Sequence, residues 1–306
     1  MDYNTTYNNK FGQFEREQEL SKPMLSTNGV SLSVNTFEKW REFIYKNSGI
    51  YFQDNKKYLL ESRLLKRLNN LNLNTYEEYL DYINMNSRKS VELKELFEAI
   101  TINETYFFRN QPQLDAISQK IIPDLIKIKM NSFNKKIRIW SAASSSGEEA
   151  YSIAILINEL IKPRYPQFTF EIVGTDISND VLQTARTGVY KEYSVRNTPI
   201  FYLKKYFERQ DNLFILDPVL KSMVRFNELN LYDDFKMRTM LNFDIIICAN
   251  VLIYFDIKSK IKVVNHLYNG LNKEGYLFIG YSETLHGISQ AFKLVSFPKT
   301  IAYKKV

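Results

Sequence analysis

From Ile137 onward, short apolar runs alternate with amphipathic stretches, and that alternation leaves few folds open to the chain. IRIWSA is a buried strand ending at Ala142, and it runs into the helical pattern EEAYSIAILINELI. FEIVGTD (170–176) is followed by the helical NDVLQTART, and VRFNELNL (224–231) and FDIIICAN (243–250) are further strands. KSKIKVVNHLYNGL reads as a helix with Gly275 after it, and YLFIGYS (276–282) as a fifth strand. FKLVSF and TIAYKK form a closing hairpin around Pro298-Lys299. Strands joined through helices by right-handed crossovers make a largely parallel sheet, so the fold class is α/β. Between Tyr202 and Phe226 the short β-like pieces FILD and MVRF stand in place of one helix, which predicts an inserted small β subdomain at about 202–226.

The first third has a different grammar. Residues 1–35 are polar, rich in Asn, Ser and Thr, and read as a flexible N-terminal tail with one short helix around Gln13–Leu20. Asn35 or Thr36 is expected to cap a helix FEKWREFIYKNSG that Gly49 ends. A second helix begins near Asp54 and runs through KKYLLESRLLKRLNNL. In the third, TYEEYLDYINM, Thr75 is the cap and Glu78 sits at the capping-box position. The fourth, SVELKELFEAIT, starts near Ser90. Four short helices with short links predict a small all-α domain over residues 36–95, ahead of an α/β domain over 96–306.

Composition narrows the chemistry. The single cysteine, Cys248, lies in the apolar run FDIIICANVLIYF and reads as a small buried hydrophobe. His266 and His286 have no ligand-like spacing with it or with each other, so no metal site is expected. No apolar run approaches the ~20 residues of a membrane helix, and MDYNTTYNNK lacks the features of a signal peptide. These features predict a cytoplasmic protein. The formal net charge of +7 favours an acidic partner without choosing among nucleic acid, an anionic membrane surface and an acidic protein.

Four segments can carry chemistry. In IRIWSAASSSGEEAYSIAI a strand enters a loop of small residues, Ala142–Gly147, and then a helix starting at Glu148. The loop after the first strand of a doubly wound sheet lines its ligand crevice. Gly147 is its one glycine, so a phosphate-binding Gly-x-Gly-x-x-Gly is absent, and Glu148 and Glu149 would repel a pyrophosphate. The two glutamates suit a cationic ligand, and equally a simple offset of the helix dipole. Asp176 ends the next strand, where an acid can accept hydrogen bonds from two ribose hydroxyls. TINETYFFRN joins the two domains and offers Arg109 as a bidentate carboxylate ligand. Asn250 and Tyr254 follow the fourth strand at its crevice end.

TINETYFFR, WSAASSSGEEAYSIA, GTDIS, NELNL, NVLIYF and GYSETL, together with SGIYF and SRLLKRLNNLNL, resemble the chemotaxis receptor glutamate O-methyltransferase (CheR) family in order and spacing over residues 36–304. The resemblance implies a Rossmann-like class I methyltransferase sheet, for which a final antiparallel hairpin is typical. It implies S-adenosyl-L-methionine as cofactor, S-adenosyl-L-homocysteine as product, and glutamate side chains of chemotaxis receptors as acceptors in sensory adaptation. Cofactor-binding roles fall on Asn103, Thr105, Arg109, Glu149 and Asp176, with Asn230-Leu231 flanking the adenine and Ala249-Asn250 as the next cofactor pair. Many relatives carry Arg at the position of Ala249, so a side-chain contact is lost there. Arg109 and Tyr254 are the expected catalytic residues, holding the acceptor carboxylate in line with the methyl group.

Partners follow in the same way. Arg63, Lys66 and Arg67 share one helix face and are expected to bind the receptor's cytoplasmic helices. Some relatives dock to a receptor C-terminal pentapeptide through a glycine-containing loop of the β subdomain. Here YFERQDNLFILDPVLKSMVRF has no glycine, and Asp211-Asn212 is its turn, so no pentapeptide tether is expected. Nucleic-acid amine methylases carry a polar-Pro-Pro-aromatic signature where this chain has Asn250-Val251-Leu252-Ile253, so no nucleic acid is expected. A monomer without membrane insertion is the expected state. The alternative is a non-catalytic S-adenosylmethionine-binding signalling module, toward which Ala249 leans.

Overall fold

The structure is a computed structural model that describes residues 31–85 and 89–306. The helix expected around Gln13–Leu20 lies outside the described residues. The chain opens with helices α1 (Val34–Ser48), α2 (Lys57–Leu71), α3 (Tyr76–Asn84) and α4 (Lys89–Ile100). Ser33, ahead of the expected Asn35 or Thr36, caps α1 by accepting from the Thr36 N–H at 3.1 Å. Leu32 and Phe37 flank this cap at the two staple positions, and both are buried in the helical core. The packed chain therefore begins a few residues before the expected tail boundary at 35, and α4 continues beyond the expected end at 95. Gly49 ends α1 at φ +74 as predicted, with its N–H on the Tyr45 carbonyl. Thr75 caps α3, while the Glu78 carboxylate reaches back to the Asn74 N–H at 2.8 Å. On α2, Leu60, Leu64 and Leu68 face inward and are fully buried or nearly so, each stabilising by about 1.5–3 kcal/mol.

The second domain begins with α5 (Gln111–Ala116), which passes through a π-helical turn, Ile117–Ile121, into α6 (Ile122–Lys129). Then follow β1 (Lys136–Ala142), α7 (Glu148–Leu156), β2 (Thr169–Asp176) and α8 (Asn179–Thr187). Next come β3 (Val189–Lys191), α9 (Glu192–Val195), α10 (Ile200–Tyr206), β4 (Phe207–Gln210), β5 (Leu213–Leu216) and α11 (Pro218–Ser222). The chain closes with β6 (Val224–Glu228), α12 (Asp234–Met237), β7 (Phe243–Cys248), α13 (Ile257–Gly270), β8 (Leu271–Ile279), β9 (Phe292–Phe297) and β10 (Thr300–Lys305). The main sheet runs β6-β2-β1-β7-β8-β10-β9. Its first five strands are parallel, and β10 and β9 form the expected antiparallel hairpin. Two apolar cores cover its faces, one around Ile139, Tyr151 and Ile247, the other around Trp140, Val263 and Leu277.

The inserted unit is a separate three-stranded antiparallel sheet, β3-β5-β4. It begins at Val189, earlier than the expected 202, and MVRF is not part of it. Val224–Glu228 pairs in parallel with β2 as the edge of the main sheet. The apolar alternation of MVRF fitted either sheet, and the parallel partner β2 takes it.

The all-α domain is docked on the α/β domain. Glu98 of α4 accepts from the backbone N–H groups of Asn179 (2.5 Å) and Asp180 (3.1 Å) and from the Ser178 hydroxyl, closing the N-terminus of α8. Lys94 pairs with Glu228 at 2.7 Å, Asn230 donates to the Asn47 carbonyl at 2.7 Å, and Tyr51 donates its N–H to the Tyr254 carbonyl at 3.0 Å.

Candidate active site

The carboxyl ends of the parallel strands open into a cavity of about 900 Å³, roofed on one side by Ile50, Tyr51 and Phe52 of the all-α domain. Asn103, Thr105, Arg109, Glu149, Asp176, Asn230, Leu231, Ala249, Asn250 and Tyr254, scattered over about 150 positions of sequence, all line it. The fold explains this. Loops that leave the same end of neighbouring parallel strands converge wherever the strand order reverses, and here β1 lies between β2 and β7.

The loop after β1 bends sharply. Ala143 and Ser145 adopt φ +56 and +50, and Gly147 adopts φ +89 against Phe226 and Ala185, where a Cβ would fall within 3 Å of each. Asp176 braces this loop: one carboxylate oxygen accepts the Ser145 N–H at 2.9 Å and the other the Ser178 N–H at 3.0 Å. Burial pushes the Asp176 carboxyl up, and these backbone donors pull against it. The Ile177 N–H is a third backbone donor to this carboxylate, which still has acceptor capacity for a ligand hydroxyl. The buried Ser144 hydroxyl in the same loop has no hydrogen-bond partner among the described residues.

Glu149 lies at the start of α7 and accepts from the Ser141 hydroxyl at 2.7 Å. Burial pushes its carboxyl up to about 7, against the opposing effects of Ser141 and the Arg109 charge. A carboxyl held there gains most from a cationic group brought against it. Glu148, by contrast, points away from the cavity lining and accepts from Ser146, so the two glutamates have different surroundings.

Asn103 accepts at its carbonyl from the Ser145 hydroxyl at 2.9 Å, tying the interdomain loop to the loop after β1. Asn230 uses both ends of its amide within the protein, donating to Asn47 and accepting the Tyr232 N–H at 2.9 Å. Its remaining role in the cavity is as wall and backbone. Ala249 presents only a methyl group at the cavity, and Leu231 is buried.

Arg109 donates to the Glu104 carbonyl at 2.8 Å and stays exposed at the mouth. Tyr254 lies in a 3₁₀ turn, Leu252–Tyr254. Burial raises its phenol, with Arg63 and Arg109 opposing, so it remains a neutral donor at physiological pH. The turn is held by Glu283, a residue that sequence reasoning gave no role. One Glu283 oxygen accepts from Asn250 (3.0 Å) and Gly280 (2.6 Å), the other from Ile253 (3.1 Å). These bonds keep Asn250 at φ +62. GYSETL was the available signal, though its carboxylate meets its partners only once β7 and β8 lie side by side. Gln113, whose buried amide donates to the Ile279 carbonyl at 2.6 Å, was likewise not singled out.

The three cations of α2 separate. Arg67 is engaged with Glu92 (2.8 Å) and Glu95 (3.0 Å), its side chain 11% exposed. Arg63 donates to the Ala99 and Thr101 carbonyls at 3.3 and 3.0 Å. Lys66 is exposed. The shared basic face read from the helical spacing is therefore largely turned to internal partners. Among the described residues no cluster of potential metal ligands is found, and no helix is long and apolar enough to cross a membrane.

A depressed-charge carboxyl at Glu149, an acid with acceptor capacity at Asp176 and an orphan hydroxyl at Ser144 fit S-adenosylmethionine, which carries an ammonium and ribose hydroxyls. Comparison with known proteins points the same way. Residues 35–101 match the CheR methyltransferase all-alpha domain, and residues 103–301 match the CheR methyltransferase SAM binding domain. A chemotaxis protein methyltransferase of Borreliella burgdorferi is 39% identical over 259 residues, covering 84% of this chain and 91% of that one. Chemotaxis protein methyltransferase 2 of Vibrio cholerae is 34% identical over 279 residues, covering 91% and 95%. The chain belongs to the CheR methyltransferase family, and its cofactor is S-adenosylmethionine.

Proposed function

We propose that the protein methylates glutamate side chains of chemotaxis receptors, forming methyl esters. The observation that carries this reading is the pairing at the cavity mouth of a cation, Arg109, with a neutral phenol, Tyr254, while neither histidine lines the cavity. Arg109 at the mouth gives an anionic acceptor a charged partner there. A glutamate, with its ordinary pKa of about 4.3, arrives already ionised and needs no strong base. The cofactor supplies a methyl group activated by its sulfonium. The chain's own residues orient and desolvate: Arg109 draws the acceptor carboxylate in, Tyr254 donates a hydrogen bond to it, and Tyr51 and Phe52 exclude water. Glu149, Asp176 and the backbone around Asn230 and Ala249 would hold the cofactor. We read the protein as a cytoplasmic monomer, with Lys66 the surface cation of α2 left for an acidic receptor helix, and with neither nucleic acid nor membrane as partner.

The test is transfer of radiolabelled methyl groups to receptor-bearing membranes. Label released as methanol by mild base is the expected result, and a base-stable product would overturn ester formation. Cofactor binding with no transfer would favour the non-catalytic module.

A further inference from the structure

The loop carrying Arg109 has no regular structure over residues 101–106, and Phe108 adopts φ +57, a disfavoured conformation for a bulky side chain. It must be held from outside. Ser152 of α7 accepts the Phe108 N–H at 3.0 Å on the inner side. The outer side is held by residues 193–196 at the end of α9. The Ser194 carbonyl accepts the Phe107 N–H at 2.8 Å, and the Tyr193 hydroxyl donates to the Glu104 carboxylate. The Arg196 guanidinium lies 3.5 Å from the ring centroids of both Tyr106 and Tyr193, and it donates to the Tyr193 carbonyl at 2.5 Å. Arg109 rests on the same two residues: it donates to the Glu104 carbonyl, and its guanidinium is 5.6 Å from the Tyr106 ring. Glu104 is held by Tyr193, and Tyr106 by Arg196.

We propose that Arg196 is a positioning residue for methyl transfer: wedged between Tyr106 and Tyr193, it fixes the loop that aims Arg109 into the cavity. Arg196 does not line the cavity; apart from its hold on this loop, its charge also favours the anion of the buried Glu148 at the start of α7. Its delocalised guanidinium sits against two nearly perpendicular rings, 79° apart, and still donates to the Tyr193 carbonyl, a combination that a compact, strongly hydrated ammonium reproduces only in part. Without it, Tyr106 loses its outer support, the strained Phe108 backbone can relax, and the Arg109 charge spreads over many orientations. The proposal rests on the reading of Arg109 as an acceptor-orienting group.

A double-mutant cycle on kcat tests it, using R196A, R109A and the combined variant, with S-adenosylhomocysteine affinity measured on each. R196A is expected to lower kcat about tenfold while cofactor-product affinity stays within about twofold, and R196K to recover only part of the loss. In the R109A background the same substitution should lower kcat by less than about twofold, because the group it positions is gone. Parent-like kcat in R196A, a full loss repeated in the R109A background, or a parallel fall in product affinity would each overturn the proposal. If R109A alone keeps the parental kcat, the acceptor role of Arg109 fails as well, and the two failures are told apart by that single variant.

Discussion

If Glu149 holds the cofactor ammonium, as proposed, cofactor affinity depends on pH with a sign that follows from its raised carboxyl. Its carboxyl sits at about 7 in the unliganded protein because burial disfavours the anion. A bound ammonium favours the anion, so binding expels the proton. Affinity for S-adenosylhomocysteine should therefore fall by roughly tenfold between pH 8 and pH 6, with proton release in calorimetry run in buffers of different ionisation enthalpy. Glu149→Gln should bind more weakly and lose this slope, and a flat profile in the parent would remove Glu149 from the cofactor site. Stability of the unliganded protein runs the opposite way. A carboxyl whose folded pKa is raised contributes stability below its ordinary value of 4.5, and that contribution is lost as pH rises through about 7. At this scale much of the cavity was legible. Strand-end positions such as Asp176 and Asn250 are fixed by where apolar runs stop, and that can be read from one sequence. Glu283 and Arg196 were not, because each acts on backbone or rings that only the closed fold brings to it.

Helix α2 shows where element-level reading succeeds and where it stops. The spacing of Leu60, Leu64 and Leu68 gave the buried stripe, and the cations did fall beside it. What spacing could not reveal was α4 lying alongside with Glu92 and Glu95. Glu92 is 5% exposed and also accepts from the Tyr79 hydroxyl at 2.8 Å, so Arg67 completes a buried network. Removing Arg67 leaves that carboxylate unpaired, and R67A should destabilise the protein by about 3–5 kcal/mol. K66E reverses an exposed charge and should leave stability within about 0.5 kcal/mol. The same K66E change should weaken methylation of receptor membranes, and raised salt should weaken the parent likewise. Thermal melts and methylation rates of the two variants separate the cases. Equal melting temperatures would refute the buried network, and unchanged K66E methylation would leave this face without a receptor role. The segment at 223–226 was read both as the start of the strand VRFNELNL and as part of the inserted unit, and its pairing with β2 bears out the first reading. A four-residue apolar alternation states that a strand exists but not which neighbour it pairs with.

At the scale of the molecule, the two domains enclose the cavity together, and the inserted sheet packs on the α/β core through Tyr190, Phe207 and Leu216 while its strand edges stay outside the main sheet. Its edges are β3, of three residues, and β4, of four. Short edge strands offer an added peptide few backbone partners, and on β4 the exposed side chains are Glu208, Arg209 and Gln210. The turn between β4 and β5 holds only Asp211 and Asn212, with Asp211 taking the left-handed conformation at φ +52. A hairpin this tight has no loop with which to enclose a peptide once it has paired. Recruitment through this unit is therefore disfavoured on three counts: edge length, edge charge and turn size. On the proposed function, the receptor is then expected to be reached through the surface around the cavity mouth and the exposed part of α2. Titration of the protein with a receptor C-terminal pentapeptide of the tethering type should give no binding tighter than about 0.1 mM. Receptors with and without that C-terminal sequence should be methylated at the same rate. Micromolar binding, with chemical shift changes confined to β4 and β5, would show that a two-residue turn suffices and that the inserted sheet is a docking module after all.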